Sequence, residues 1–220
     1  MLKADLHTHT YFSPDSLTSP EKYVQTCLER SINCVAVTDH GSISGALAVE
    51  KLASFRVIIG EEVESSEGEI IGLFLQEEVP AGLSAEETVQ RIKEQGGLVC
   101  IPHPFDRFRG EHLAEAAVMR VLPQVDVIEA LNSRTTLRRD NEHAARFAKE
   151  HGLAMSAGSD AHSWRELGRA CVEMPEFEGP REFLEALKQG QIMGRLSNPL
   201  VHFRSRWAWL RRRFRWRPTE

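Results

Sequence analysis

Apolar runs of about five residues recur along the chain, separated by longer segments whose apolar positions repeat with a helical period. That alternation is the mark of repeated β-α units and a mostly parallel sheet. Strands are expected near Leu2–Leu6, Cys34–Thr38, Val57–Gly60, Ile70–Leu75, Leu98–Ile101, Val125–Ala130 and Ala154–Ala157. Helix starts are announced by Ser19–Pro20 and by the capping-box pairs Ser84 with Glu87 and Ser163 with Glu166, and helix ends by Gly96–Gly97 and Gly152. About seven such units in 220 residues predict a closed or nearly closed parallel barrel, smaller than the eightfold barrel of about 250 residues; an open doubly wound sheet is the alternative. Either way, an active site is expected at the carboxyl ends of the strands.

With 41% hydrophobic residues the chain can build one full core. Cys27, Cys34, Cys100 and Cys171 lie far apart, mostly in apolar surroundings, which suits buried reduced thiols and a cytoplasmic protein. Neither an apolar leader near MLKADLHTHT nor a run of about 18 apolar residues is present, so a soluble protein is expected.

Imidazoles and carboxylates gather at the expected strand ends. They are Asp5-Leu6-His7-Thr8-His9, then Asp15, Thr38-Asp39-His40, Gly60-Glu61-Glu62, Pro102-His103-Pro104 and Gly158-Ser159-Asp160-Ala161-His162. In extended backbone alternate side chains share a face, so His7 with His9, and Asp160 with His162, can each grip one ion as a pair. A lone histidine at a strand end carries little weight, and so does one H-x-H; the conjunction is what points to metal. Mixed nitrogen and oxygen donors suit Zn, Mn, Fe or Mg, and several carboxylates favour a cluster because a carboxylate can bridge two ions. His112, His143, His151 and His202 fall in helical or tail segments and are read as ordinary residues.

Together DLHTHT, the Asp15 loop, TDHG, GEE, IPHP and GSDAH resemble the PHP family, named for polymerase and histidinol phosphatase, over about residues 1 to 195. GSDAHSWRELGRA, followed by a strand and a helix, is similar to the carboxyl-terminal extension of stand-alone bacterial PHP phosphoesterases. The resemblance implies a PHP domain over residues 1–197, a distinct tail over 198–220, and a distorted TIM-like (β/α)7 barrel with two or three divalent ions, Mn, Zn or Fe. It would place one metal on His7, His9, Glu62 and Asp160. Glu62 would bridge to a second, held also by His103, and Asp15, His40 and His162 would hold a third. The family's G-x-E spacing selects Glu62, and strand alternation then turns Glu61 the other way, to solvent or a salt bridge. Glu69 stands where many members carry a further histidine ligand, and is open to two readings, a ligand or an exposed residue at a strand start. Asp5 and Asp39 flank ligands and are candidates to orient them.

The implied chemistry is hydrolysis of a phosphomonoester or nucleotide-like diester by a metal-bridging hydroxide, which needs no protein nucleophile. The sequence accordingly shows no G-x-S-x-G elbow, no Cys-x5-Arg loop and no Walker-type glycine loop. Arginine forks suit phosphate, and Arg134 is the first candidate, as catalytic and substrate-binding residue, followed by Arg107, Arg109 and Arg165; Asn132 lies close by. A metal-dependent amidohydrolase also opens with H-x-H but normally needs a bridging lysine, and none sits at the ends of the third to sixth strands. A weakly catalytic polymerase-associated or nucleic-acid-binding module is the remaining alternative.

The tail is chemically distinct. Seven arginines there face only Glu220, a local charge of +6 that leaves −11 for the rest of a chain with net charge −5. As a helix it would align Trp207, Leu210 and Phe214 on one face. Three partners fit: an anionic membrane surface, which would put the protein at the inner face of the membrane; single-stranded nucleic acid; or the barrel itself.

Overall fold

β1 (Leu2–Thr8) organises the sheet, because it is flanked on one side by the parallel barrel strands and on the other by an antiparallel pair. The computed structural model describes residues 1–110, 112–198, 200–201 and 205–210. After β1 come α1 (Pro20–Glu29), β2 (Cys34–Val37), α2 (Ser44–Leu52), β3 (Arg56–Ser65), β4 (Gly68–Leu73), α3 (Ala85–Glu94) and β5 (Leu98–Ile101). Then follow α4 (Glu115–Val121), β6 (Val127–Asn132), α5 (Arg138–Glu150), β7 (Ala154–Gly158), β8 (Ala170–Met174), α6 (Pro180–Lys188) and β9 (Gln191–Gly194). The sheet order is β7-β6-β5-β4-β3-β2-β1-β8-β9. Among the described residues no helix is long and apolar enough to cross a membrane.

The barrel closes at its mouth. Just beyond β7, the amide of Asp160 donates to the carbonyl of His7 at 2.7 Å and the amide of His9 donates to that of Ala161 at 3.1 Å. At the opposite end β8 pairs with Leu2–Ala4 instead, so closure is confined to the end where the site lies. Small residues, among them Ala4, Ala36, Cys100 and Ala157, fill the narrow interior, and Phe74, Phe177 and Phe183 close its base in edge-to-face contacts. All four cysteines are buried as free thiols.

The structure departs from a mostly parallel βα reading at β4 and at the antiparallel β8–β9 pair, and the segment after Ser163 departs from the expected helix. β3 and β4 are joined only by Ser66 and Glu67, so β4 runs antiparallel, and so does its pairing with β5. No crossover helix fits in two residues. This reversal brings the start of β4, and with it Glu69, to the mouth. Residues 163–168 form turns rather than a helix, and the expected cap residue Glu166 instead turns its buried carboxylate toward Arg134, with 3.8 Å between Oε2 and Nε. The caps at Ser19 and Ser84 do start α1 and α3, the latter with both reciprocal bonds of the capping box.

Candidate metal centre

His7 and His9 leave the end of β1 through a bulge. The pairing with β2 slips by one residue between Asp5 and Thr8, which lets Leu6 and His7 both face the interior. Nε2 of His7 lies 3.2 Å from Nε2 of His9, and Glu62 Oε2 lies 3.1 Å from the first and 3.3 Å from the second. Asp160 Oδ1 completes this group at 3.4 Å from His9 and 3.8 Å from His7. The other oxygen of Glu62, Oε1, is 3.1 Å from His103 Nε2, so the carboxylate faces different histidines with its two oxygens. Glu69 is buried beside them, 3.5 Å from His103 and 3.7 Å from His40. On the outer side Asp15 Oδ2 is 2.7 Å from His162 Nε2, and its Oδ1 is 4.0 Å from His40.

These spacings fit metal donors. With bonds of about 2.0–2.1 Å, donor atoms around one tetrahedral ion stand roughly 3.4 Å apart. Most of the separations above cluster near that value, among them the 3.2 Å between the Nε2 atoms of His7 and His9. Oδ1 of Asp15 and Oδ1 of Asp160 are buried and accept no hydrogen bond from the described residues. Electrostatics argues the same way. Burial alone would push the Glu62 carboxyl up, yet His7, His40 and the bond from His103 hold it well below the usual range. Burial opposes charge on His7 as well, but Glu62, Glu129 and Asp160 raise it well above an ordinary imidazole, and Asp15 lifts His162 to about 9 against burial. So many buried carboxylates call for positive charge in their midst.

A supporting layer fixes the donors. Glu129 Oε1 is 3.1 Å from His7 Nδ1, and its Oε2 accepts from the His103 amide at 2.8 Å and from Asn132 Nδ2 at 3.0 Å. Asp39 accepts from Thr10 and Ser13, and Ser13 Oγ stands 3.1 Å from His9 Nδ1. Asp5 accepts from the Ser159 amide and hydroxyl and from the Gly168 amide, anchoring the loop that carries Asp160. His103 and Asp160 have positive φ, 29° and 52°, a strain that such anchoring sustains. Glu129 and Ser13 escaped the sequence reading. The available signal for Glu129 was a single charge inside the apolar run of β6.

Glu61 points away from the centre, but not to solvent or a salt bridge. It is fully buried, accepts from the Val79 amide at 2.8 Å, and burial raises its carboxyl to about 7. The segment after β4 covers that face of β3.

A cleft of about 810 Å³ opens over Asp15, His40, Glu69 and His162. Arg109 reaches it and donates to Asp160 Oδ2 at 2.5 Å. Arg134 also lines it; buried, it contacts His162 Nδ1 and donates to the Asp160 carbonyl at 3.4 Å. Arg107 and Arg165 are not brought there: Arg107 pairs with Asp140 at 3.4 Å, and Arg165 lies over the Trp164 ring at 4.3 Å. From the tail come Ser205, Arg206, Trp209 and Leu210. The C-terminal stretch of the tail, Phe214 included, lies outside the described residues. Among the described residues no lysine lines the cleft.

A model of the PHP-associated segment matches residues 138–192. The chain is 36% identical over 220 residues to the uncharacterized protein MJ0417 of Methanocaldococcus jannaschii, covering 94% of this chain and 89% of that one. The chain belongs to the PHP family. Among solved structures, this PHP chain is similar to a two-domain Bacteroides vulgatus protein containing a predicted PHP-like metal-dependent phosphoesterase. The TM-score is 0.72 at 18% identity, over 88% of this chain and 65% of that one, just under two thirds of its length. It is also similar to the lesion-specific endonuclease EndoQ of Pyrococcus furiosus, with TM-score 0.63 and 18% identity over 90% of this chain and 59% of the other. At such identities the likeness is one of fold, the nearly closed TIM-like PHP barrel.

Proposed function

We propose that this PHP protein is a metal-dependent hydrolase of phosphate esters, acting on a phosphomonoester or a nucleotide-like phosphodiester. The observation that carries the reading is the placement of Glu62, whose two oxygens face separate histidine groups at 3.1 Å on either side beneath an open, arginine-lined cleft. His7, His9, Glu62 and Asp160 would hold one ion; Glu62, His103 and Glu69 a second; Asp15, His40 and His162 a third. Divalent ions in such a centre lower the pKa of water and offset charge on phosphate oxygens.

The remaining work falls to the chain. Glu129 holds the His7 ring in one orientation and Ser13 does so for His9, which presents their Nε2 atoms to a common point. Arg109 and Arg134 put guanidinium groups beside the donors, where they can bind phosphate oxygens that the acidic cluster would otherwise repel. Burial of the donors keeps bulk water from screening these charges.

Metal analysis of the purified protein, together with hydrolysis of p-nitrophenyl phosphate and its bis ester under added Mn or Zn, tests the reading. Two or three bound ions and turnover of at least one ester are expected. Fewer than two ions with no turnover of either would overturn it.

A further inference from the structure

We propose that Arg109 is a positioning residue of the metal centre: it engages one oxygen of Asp160, so that the other oxygen alone is offered to the ion shared with His7, His9 and Glu62. This rests on the metal-dependent reading of the centre and gives Arg109 a duty there before any substrate arrives.

The two oxygens of Asp160 have different surroundings. Oδ2 accepts from Arg109 Nη2 at 2.5 Å and from Asn132 Nδ2 at 3.2 Å. Oδ1 is turned toward the imidazoles, 3.4 Å from His9 Nε2, 3.8 Å from His7 Nε2 and 3.3 Å from His162 Nδ1. A carboxylate with both oxygens at liberty can clasp one ion with the pair. One whose second oxygen carries a charge-assisted bond presents a single donor.

Arg109 is brought there by the loop after β5, which folds back in turns. The Asp106 amide donates to the His103 carbonyl at 3.1 Å, and the Arg109 amide donates to the Asp106 carbonyl at 3.0 Å. Asp106, itself buried, accepts from the Phe108 amide at 3.2 Å, and the Arg109 carbonyl lies 2.5 Å from His112 Nδ1. The backbone is thus held on both sides of Arg109 while its side chain, 14% exposed, crosses to the loop after β7. His103 begins the same loop and faces Glu62 Oε1, so the pair of Arg109 with Asp160 links a donor of one ion group to a donor of the other.

Charge favours the pairing. Burial opposes a positive guanidinium here, but Asp160, Glu69 and Glu62 hold its proton more firmly than usual. A neutral side chain could still bond Oδ2, yet it would leave a buried carboxylate without its opposite charge.

The test uses the full-length protein, with Mn affinity read by competition with a chelating dye and coordination read from the visible bands of the cobalt-loaded form. Arg109→Gln should weaken Mn binding by about 10 to 100-fold. It should also weaken the cobalt bands, which lose intensity as the second oxygen of Asp160 joins the ion and the coordination number rises. Arg109→Ala should show the same losses, and added guanidinium chloride, far below denaturing concentration, should restore much of the affinity. Should Arg109→Gln fail to fold, the alanine variant with and without guanidinium decides. Wild-type affinity and bands in the variants, with only KM for p-nitrophenyl phosphate raised, would overturn the proposal, because Arg109 would then serve substrate alone. A lowered Tm with unaltered bands and no recovery in guanidinium would also overturn it, in favour of packing. If wild type itself binds no ion, the metal reading fails first; if wild type binds ions and the variants match it, the role of Arg109 fails by itself.

Discussion

Glu129 and His7 meet inside the barrel with Oε1 3.1 Å from Nδ1 and both side chains fully buried, 122 residues apart in sequence. The carboxylate fixes which imidazole nitrogen faces the donors. It also holds the His103 amide and Asn132, so two candidate ligand groups depend on one side chain. Glu129→Gln keeps the shape and removes the charge. Metal affinity should fall by about 10 to 100-fold, as read by competition with a chelating dye, with little change in far-UV circular dichroism. Unchanged affinity would mean that Glu129 serves packing alone.

Gly45 allows the Asp39 network to form. A Cβ there would stand 1.8 Å from Asp39 Oδ2 and 2.4 Å from Thr10 Oγ1, so α2 approaches the β2 end at a distance only glycine permits. Gly45→Ala should displace the carboxylate that positions Ser13, and through it His9, at a cost of about 1–3 kcal/mol in denaturant unfolding. Metal affinity should drop with it. A variant as stable as wild type would show that the helix shifts freely.

Strand positions were legible because buried strands read as apolar runs, and each of the seven expected has its counterpart. Apart from the edge strand β9, what escaped lies where the centre intrudes on that pattern. β3 continues to Ser65, but Glu61, Glu62 and Glu64 interrupt its apolar run, so the reading stopped at Gly60. The part of the strand that carries a candidate ligand was hidden by the ligand's own charge. β4 was located but not its direction, which depends on a two-residue connection rather than on composition. Ser163 and Glu166 have the spacing of a cap, yet Glu166 is buried 3.8 Å from Arg134 and the segment forms turns. The donors gathered at the mouth were visible as motifs, whereas the arginines were not separable, since loop paths decide that Arg109 reaches the cleft and Arg107 does not.

Glu69 distinguishes a second ion from a lone one. Its carboxylate is buried between His40 and His103, at 3.7 and 3.5 Å. Glu69→Gln removes the charge but not the volume, and bound metal per chain should fall by about one ion under limiting Mn, by mass spectrometric metal analysis. Glu69→His supplies a nitrogen donor at the same place and should retain the ion. If both variants bind as many ions as wild type, Glu69 is a bystander.

Metal should also stabilise the fold, because the donor set exists only when β1, β3, β7 and the loops after β2 and β5 are assembled. A ligand at about 100 times its Kd adds roughly 2.7 kcal/mol per site. For a chain of this length that corresponds to a rise in Tm of about 5–10 °C on adding Mn or Zn, reversed by EDTA. Asp160→Asn should flatten the dependence of Tm on metal concentration, since Oδ1 of Asp160 faces both His7 and His9. Its starting Tm will also change, because Arg109 loses a charged acceptor, so the slope with metal is the quantity to read. A wild-type Tm indifferent to Mn, Zn and EDTA would count against any ion bound between these strands.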